Sequence, residues 1–194
     1  MADQVEALID QTGPLDVGLL VASAGFGTSG PFVHAPLARE LEMIDVNCRA
    51  VVALTHAFAR RFTERGRGGL VLMSSLVAFQ GVPRAATYAA TKAFIQTFAE
   101  GLRRELAPHG VDVLASAPGP VHSGFAERAT MTMARALPPD VVARGTLAAL
   151  SRDRAAVSSV PDSSPSLSAS SASSAPRPRL TALRRRSVAS STPC

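Results

Sequence analysis

Tyr88 and Lys92 stand four residues apart in the stretch SSLVAFQGVPRAATYAATKAF, residues 74–94, and are the only tyrosine and the only lysine among 194 residues. Asn47, upstream, is the only asparagine. The chain otherwise fills basic positions with Arg and small ones with Ala, Ser and Gly, so these singletons mark positions that tolerate no substitute. On a helix, residues i and i+4 share a face, about 6 Å apart along the axis. An ammonium beside a phenol favours the phenolate, so Lys92 is expected to lower the tyrosine pKa from its reference of about 10. Tyr88 then becomes a general acid or base near neutral pH. A hydroxyl at the end of the preceding strand, Ser74 or Ser75, can hydrogen-bond the same reacting oxygen. Arginine would not serve at position 92, because its charge is spread over a bulkier planar fork. A bare Y-x-x-x-K spacing also recurs by chance on solvated helix faces, so the surrounding elements must decide.

Those elements alternate. Val5, Leu8 and Ile9 form a helical stripe closed by Gly13-Pro14, and residues 17–22 are an apolar run of strand length, of the kind buried on both faces of a parallel sheet. A long helical pattern follows over residues 36–65, with Leu37, Leu41, Ile44, Cys48, Val51, Val52, Leu54 and Phe58 on its apolar side and Asn47 in its middle. Residues 70–73 read as a strand, 88–108 as a helix broken at Pro108-His109-Gly110, 111–115 as a strand, and 140–150 as a helix after Pro138-Pro139. Strands alternating with helices predict an α/β fold built on a doubly wound parallel sheet. Gly25-Phe26-Gly27-Thr28-Ser29-Gly30 formally matches G-x-G-x-x-G, but a dinucleotide fingerprint must open directly into a helix, and Pro31 and Pro36 prolong a loop instead.

Ser75 precedes Tyr88 by 13 positions, after the apolar run 70–73 and a Gly81/Pro83 turn. This resembles the short-chain dehydrogenase/reductase family, with its strand-end Ser, Tyr and Lys. Ala22-Ser23-Ala24-Gly25 resembles the family's Asn-Asn-Ala-Gly motif with both Asn positions replaced. Asn47, in DVNCRAV, resembles the helix Asn of the catalytic tetrad. Pro118-Gly119-Pro120-Val121-His122-Ser123 resembles the PG-x-V-x-T segment beside the nicotinamide, with Ser for Thr. The match covers roughly residues 5–150.

The resemblance implies a Rossmann-like sheet and hydride transfer between the nicotinamide of NAD or NADP and a carbonyl or secondary alcohol. In that scheme Tyr88 exchanges the proton and Ser75 polarises the substrate oxygen. Lys92 lowers the tyrosine pKa and holds the nicotinamide ribose, and Asn47 orders a water that joins the lysine to solvent. Ala24, Gly25, Tyr88, Lys92, Pro118, Gly119, Val121 and Ser123 would border the cofactor. Strand alternation does not choose between Ser74 and Ser75; the 13-residue spacing favours Ser75. Family members usually begin with a strand, a TG-x-x-x-G-x-G turn and two further strands. None of this is read here, so the first βαβαβ half, which cradles the pyrophosphate and selects NAD from NADP, is expected to be largely missing. Strand 17–22 would then be an unpaired apolar edge. Pairing through the two long helices would make a homo-oligomer. The rival reading is a catalytically incompetent fragment that associates through those helices.

Composition sets the remaining bounds. With 46% hydrophobic residues and no Trp, residues 1–150 suffice for one domain with an aliphatic core. The start, MADQVEALID, is not a signal peptide, and no apolar run approaches a membrane span. Two cysteines, Cys48 and Cys194, suggest no disulfide framework and fit a reducing cytoplasm. Four histidines without ligand spacing argue against a metal site, and His122 reads as an ordinary loop residue. The loop after Ser123 and residues 126–137 are rich in Ala, Met and Leu and suit an apolar ketone or acyl chain.

The net charge of +5 arises after position 150, where 7 basic and 2 acidic residues fall; residues 1–150 balance 13 against 13. The folded part therefore offers no nucleic-acid footprint. Residues 151–194, rich in Ser, Arg and Pro and without Gly, read as a disordered tail, and their abrupt change of composition suggests a frame-shifted translation. DNA binding that weakens with salt and vanishes on deletion of residues 151–194 would instead give the tail a nucleic-acid role.

Overall fold

The computed structural model describes residues 2–129, 135–150 and 156–157. The expectations for residues 130–134 and for most of 151–194 lie outside these. Helix α1, Ala2–Gln11, leads to strand β1, Leu19–Ala22, and a loop reaches α2, Leu37–Ile44. The chain then passes through a five-residue π turn, Asp45–Arg49, into α3, Ala50–Glu64. Strand β2, Gly68–Met73, precedes α4, Ala86–Leu106, and strand β3, Val111–Ser116. The short α5, Phe125–Arg128, α6, Pro139–Leu150, and a two-residue strand β4, Ala156–Val157, follow.

All described strand pairs are parallel, in the order β1-β2-β3-β4. Leu19 to Ala22 stand opposite Gly69 to Leu72, and Gly68 to Met73 opposite Val111 to Ser116. Successive side chains on a strand point to opposite faces. Leu70 and Leu72 therefore join Val111 and Val113 under α3 and α4, against Phe58, Phe62 and Ile95. Val71 and Leu114 face the other way, against Ala149 of α6. Strands covered on both sides must be apolar throughout, which is why 70–73 shows no alternation. Each of these fully buried leucines and valines contributes about 2 kcal/mol by its burial. The core is not purely aliphatic: Phe58 and Phe62 meet edge to face, with ring centroids 5.9 Å apart, beneath the sheet.

β1 is one of the two outer strands of the described sheet, and Val21 on it is 49% exposed. The long helix expected over 36–65 is interrupted by the π turn, whose extra residue per turn displaces Asn47 from the ordinary helical register. At the amino ends of β2 and β3 two turns touch. Gly110, with φ +70°, ends the turn after α4, and a Cβ there would stand 2.3 Å from the carbonyl oxygen of Gly66. Gly110→Ala is expected to lower unfolding free energy by about 2–4 kcal/mol, from left-handed strain and the backbone clash together. Urea unfolding of the two proteins measures it, and a loss below about 1 kcal/mol would show that the turns move apart freely.

Candidate active site

The carboxyl ends of β1, β2 and β3 open into a cavity of about 720 Å³. Ser74 and Ser75 follow β2 directly, and the Pro118 loop follows β3. Crevices at this end of an open α/β sheet are where such folds bind ligands. Ser75, Tyr88, Lys92, Gly25, Pro118, Gly119, Val121 and Ser123 all line it; Ala24 is exposed beside it, and Asn47 lies behind the wall.

Helix α4 and the end of β2 are locked together reciprocally. Lys92 Nζ donates to the Met73 carbonyl at 2.8 Å, and Ser74 Oγ donates to the Lys92 carbonyl at 3.1 Å. Ser74 is buried and its proton is committed to that bond. Ser75, in extended backbone, caps the short turn Leu76–Phe79 by accepting from Val77 N at 3.4 Å, and it lines the cavity together with Tyr88. Tyr88 is 8% exposed and packs on Met43, Ala85, Phe26 and Phe125, with the Phe125 ring centroid 5.3 Å away.

Asn47 is held by protein at both ends of its amide. Oδ1 accepts from Phe26 N at 3.0 Å, and Nδ2 donates to Phe26 O at 2.8 Å and to Thr91 Oγ1 at 3.1 Å. The side chain thereby ties the Gly25–Gly27 loop to α4. The loop approaches so closely only because glycine lacks a Cβ: one at Gly25 would stand 3.0 Å from Asn47 Oδ1, and one at Gly27 would stand 3.0 Å from Phe125 and 3.2 Å from Tyr88. Thr91, which the sequence reading passed over, joins the two halves by donating to the Tyr88 carbonyl at 2.8 Å while accepting from Asn47. The G-x-G-x-x-G segment runs into Pro31 and the single turn Phe32–His34, not into a helix that could hold a pyrophosphate. His122 is exposed and does not line the cavity.

A family model described as short chain dehydrogenase matches residues 1–134. The chain belongs to that family. An uncharacterized oxidoreductase of Myxococcus xanthus is 40% identical to this chain over 121 residues, covering 62% of this chain and 47% of that protein. A 7beta-hydroxysteroid dehydrogenase of Clostridium sardiniense is 34% identical over 117 residues, covering 60% and 45%. A solved short-chain dehydrogenase from Sphingobium yanoikuyae in complex with NADPH superposes with TM-score 0.77 at 27% identity, covering 81% of this chain and 63% of that one. The chain thus spans less than half the length of each of these two curated relatives. Among the described residues no helix is long and apolar enough to cross a membrane, and no group of three or more His, Cys, Asp or Glu could hold a metal ion.

The electrostatics of this site run against the simple expectation for its tyrosine. Burial pushes the Tyr88 pKa up, and the Ser75 hydrogen bond only partly opposes it. Lys92 Nζ stands 5.8 Å from the centre of the phenol ring, and burial lowers its own pKa to about 8, with Cys48 nearby opposing. Burial likewise raises the Cys48 thiol, which Lys92 draws back down. Both partners of the expected ammonium–phenolate pair are thus moved toward their neutral forms by the dry wall around them.

A lysine moved from 10.5 to about 8 costs the folded state on the order of 3 kcal/mol at neutral pH. Below about pH 8 the folded chain must hold a charge it disfavours. Between about 8 and 10.5 only the unfolded chain carries the proton, so this cost fades as pH rises. Lys92→Met is expected to raise stability by about 2 kcal/mol at pH 7, after allowing for the lost bond to Met73, with the gain shrinking toward pH 10. Above that, the raised Tyr88 pKa acts oppositely in both proteins, lowering stability as pH climbs through it. Thermal unfolding across pH measures the difference, and a gain that stays constant from pH 7 to 10 would contradict burial as the cause.

Proposed function

We propose that the chain carries the proton-transfer side of an NAD- or NADP-dependent oxidoreductase acting on a carbonyl or secondary alcohol. The observation that carries the reading is the convergence of Ser75, Tyr88 and Lys92 on one cavity. Tyr88 donates its proton to the substrate oxygen in reduction and recovers it in oxidation. Ser75 donates a hydrogen bond to that same oxygen. Lys92, fixed by the Met73 carbonyl, stabilises the phenolate left after transfer, an electrostatic gain that grows as the cavity excludes water. Asn47 and Thr91 hold the loop and the helix at fixed separation rather than touching substrate.

Lys92, Gly25 and the segment Pro118, Gly119 and Val121 fit the nicotinamide–ribose end of a cofactor, which when bound supplies or accepts the hydride. Among the described residues no glycine-rich turn opens into an α-helix, so they offer no cradle for its pyrophosphate. The walls, Val21, Leu76, Val77, Val82, Phe125 and Val142, suit an apolar ketone, in keeping with the steroid named for one relative. Cytoplasmic location and residues 1–150 as the catalytic domain belong to the same reading.

Association without turnover is the second reading. Phe94 on α4 is 44% exposed and stacks on Phe98, while Leu37, Leu41 and Ile44 leave an apolar stripe on α2, as an interface between two copies would require. Fluorescence titration of the purified chain with NADH and NADPH separates the two. Saturable binding of either favours the enzyme and identifies its cofactor; a folded dimer that binds neither favours association alone. In an active preparation, Tyr88→Phe is expected to lower kcat by at least about a thousandfold with the fold intact, and Lys92→Arg by about a hundredfold. Near-normal turnover of Tyr88→Phe would refute the acid/base role.

A further inference from the structure

The large cavity meets a second one, of about 390 Å³, at Ala85 and Arg128. The large cavity is apolar, and among its lining residues are two cations, Lys92 and Arg128, but no carboxylate. Lys92 is bonded to the inner wall, whereas Arg128 ends α5 at the junction. The second cavity is lined by Arg39, Arg84, Arg128 and His34, with Thr28 and Ser29 beside them, against one carboxylate, Glu40. Glu40 is buried and accepts from Thr28 Oγ1 at 2.7 Å; among the described residues no arginine pairs with it. Arg39 is engaged elsewhere, with Glu42 at 2.6 Å and over the Phe26 ring at 4.6 Å. Arg84 and Arg128 have no ion-pair partner among the described residues.

Arg84 carries a second mark. Its φ is +66°, a left-handed conformation that glycine adopts freely and that costs any side-chain-bearing residue. Its carbonyl accepts from Gly30 N at 2.8 Å, which fixes the turn. Strain of this kind persists where the surrounding structure over-determines it, and it clusters at ligand-binding and active sites. Here it sets an arginine at the second cavity, while Arg128, also without an ion-pair partner among the described residues, lines both cavities.

We propose that Arg84 and Arg128 bind the anionic end of an amphiphilic substrate, a carboxylate or a phosphate, whose apolar body fills the larger cavity. Guanidinium forks match either anion with paired hydrogen bonds. The anion site stands on these residues; placing the reacting carbonyl at Tyr88 rests on the oxidoreductase reading above.

Titration calorimetry of the full chain at low ionic strength, with decanoate, decyl phosphate and decanol as probes, tests binding without requiring turnover. Decanoate or decyl phosphate is expected to bind about tenfold more tightly than decanol, and the tighter of the two identifies the natural anion. Arg128→Gln is expected to remove that preference while leaving decanol affinity unchanged. Arg84→Gly is expected to weaken the anion while raising thermal stability, so that a loss cannot be ascribed to misfolding. Equal affinities for decanoate, decyl phosphate and decanol, no saturable binding of either anion, or an Arg128→Gln protein that keeps the preference would each overturn the proposal. A chain that selects the anion through Arg128 yet binds neither NADH nor NADPH would overturn the oxidoreductase reading and leave this one standing.

Discussion

The site depends on a reciprocal bond between a helix and a strand end. Lys92 reaches from α4 to the Met73 carbonyl, and Ser74, the next residue, reaches back to the Lys92 carbonyl. Each side chain satisfies the other segment's backbone, so β2 and α4 cannot slide past one another without exposing buried polar groups. Ser75 is thereby aimed at the phenol, since its neighbour is already anchored. A second tie, from Asn47 through Thr91, brings the Gly25–Gly27 loop against the same helix. Loop, strand and helix meet at Tyr88 because these short polar links leave them no alternative spacing.

The same dryness that makes the links strong works against the charges within them. An ammonium and a phenolate in an apolar wall attract strongly, but each must first lose its hydration. With the phenol neutral, the lysine gains only one carbonyl in exchange for water, and its pKa falls to about 8. The arrangement is therefore poised rather than relaxed. A negative charge forming on the tyrosine oxygen would meet a cation already fixed in place by the Met73 carbonyl.

Much of this was legible in the sequence, for reasons tied to particular residues. Strand β2 is buried on both faces and must be apolar throughout, so residues 70–73 stand out as an uninterrupted run; the apolar run 17–22 also forms a strand, but an outer one on which Val21 is half exposed. Tyr88 and Lys92 stood out because the chain otherwise avoids their types. Burial reverses the fall in tyrosine pKa that the spacing predicts, because spacing reports the nearness of a charge but not the dielectric around it; the Phe26, Val77, Val82 and Phe125 wall comes from three separate segments. Thr91 carried no signal, being one threonine among several whose role is set by an Asn 44 positions away. The π turn at Asp45–Arg49 was invisible for a related reason: its residues suit an ordinary helix, and only the demand to place Asn47 against Phe26 explains the wider turn. Phe26 acts there through its backbone, which any residue could supply.

The solitary state of Lys92 has a use beyond the chemistry assigned to it. Elsewhere on protein surfaces lysines are numerous, and almost wholly protonated at neutral pH. Here one side-chain amine serves the whole chain, it opens onto the cavity, and near pH 8 about half of it is uncharged. A small acylating reagent thus meets a single competent lysine, and whatever fills the cavity shields it. Its labelling rate is a count of empty sites.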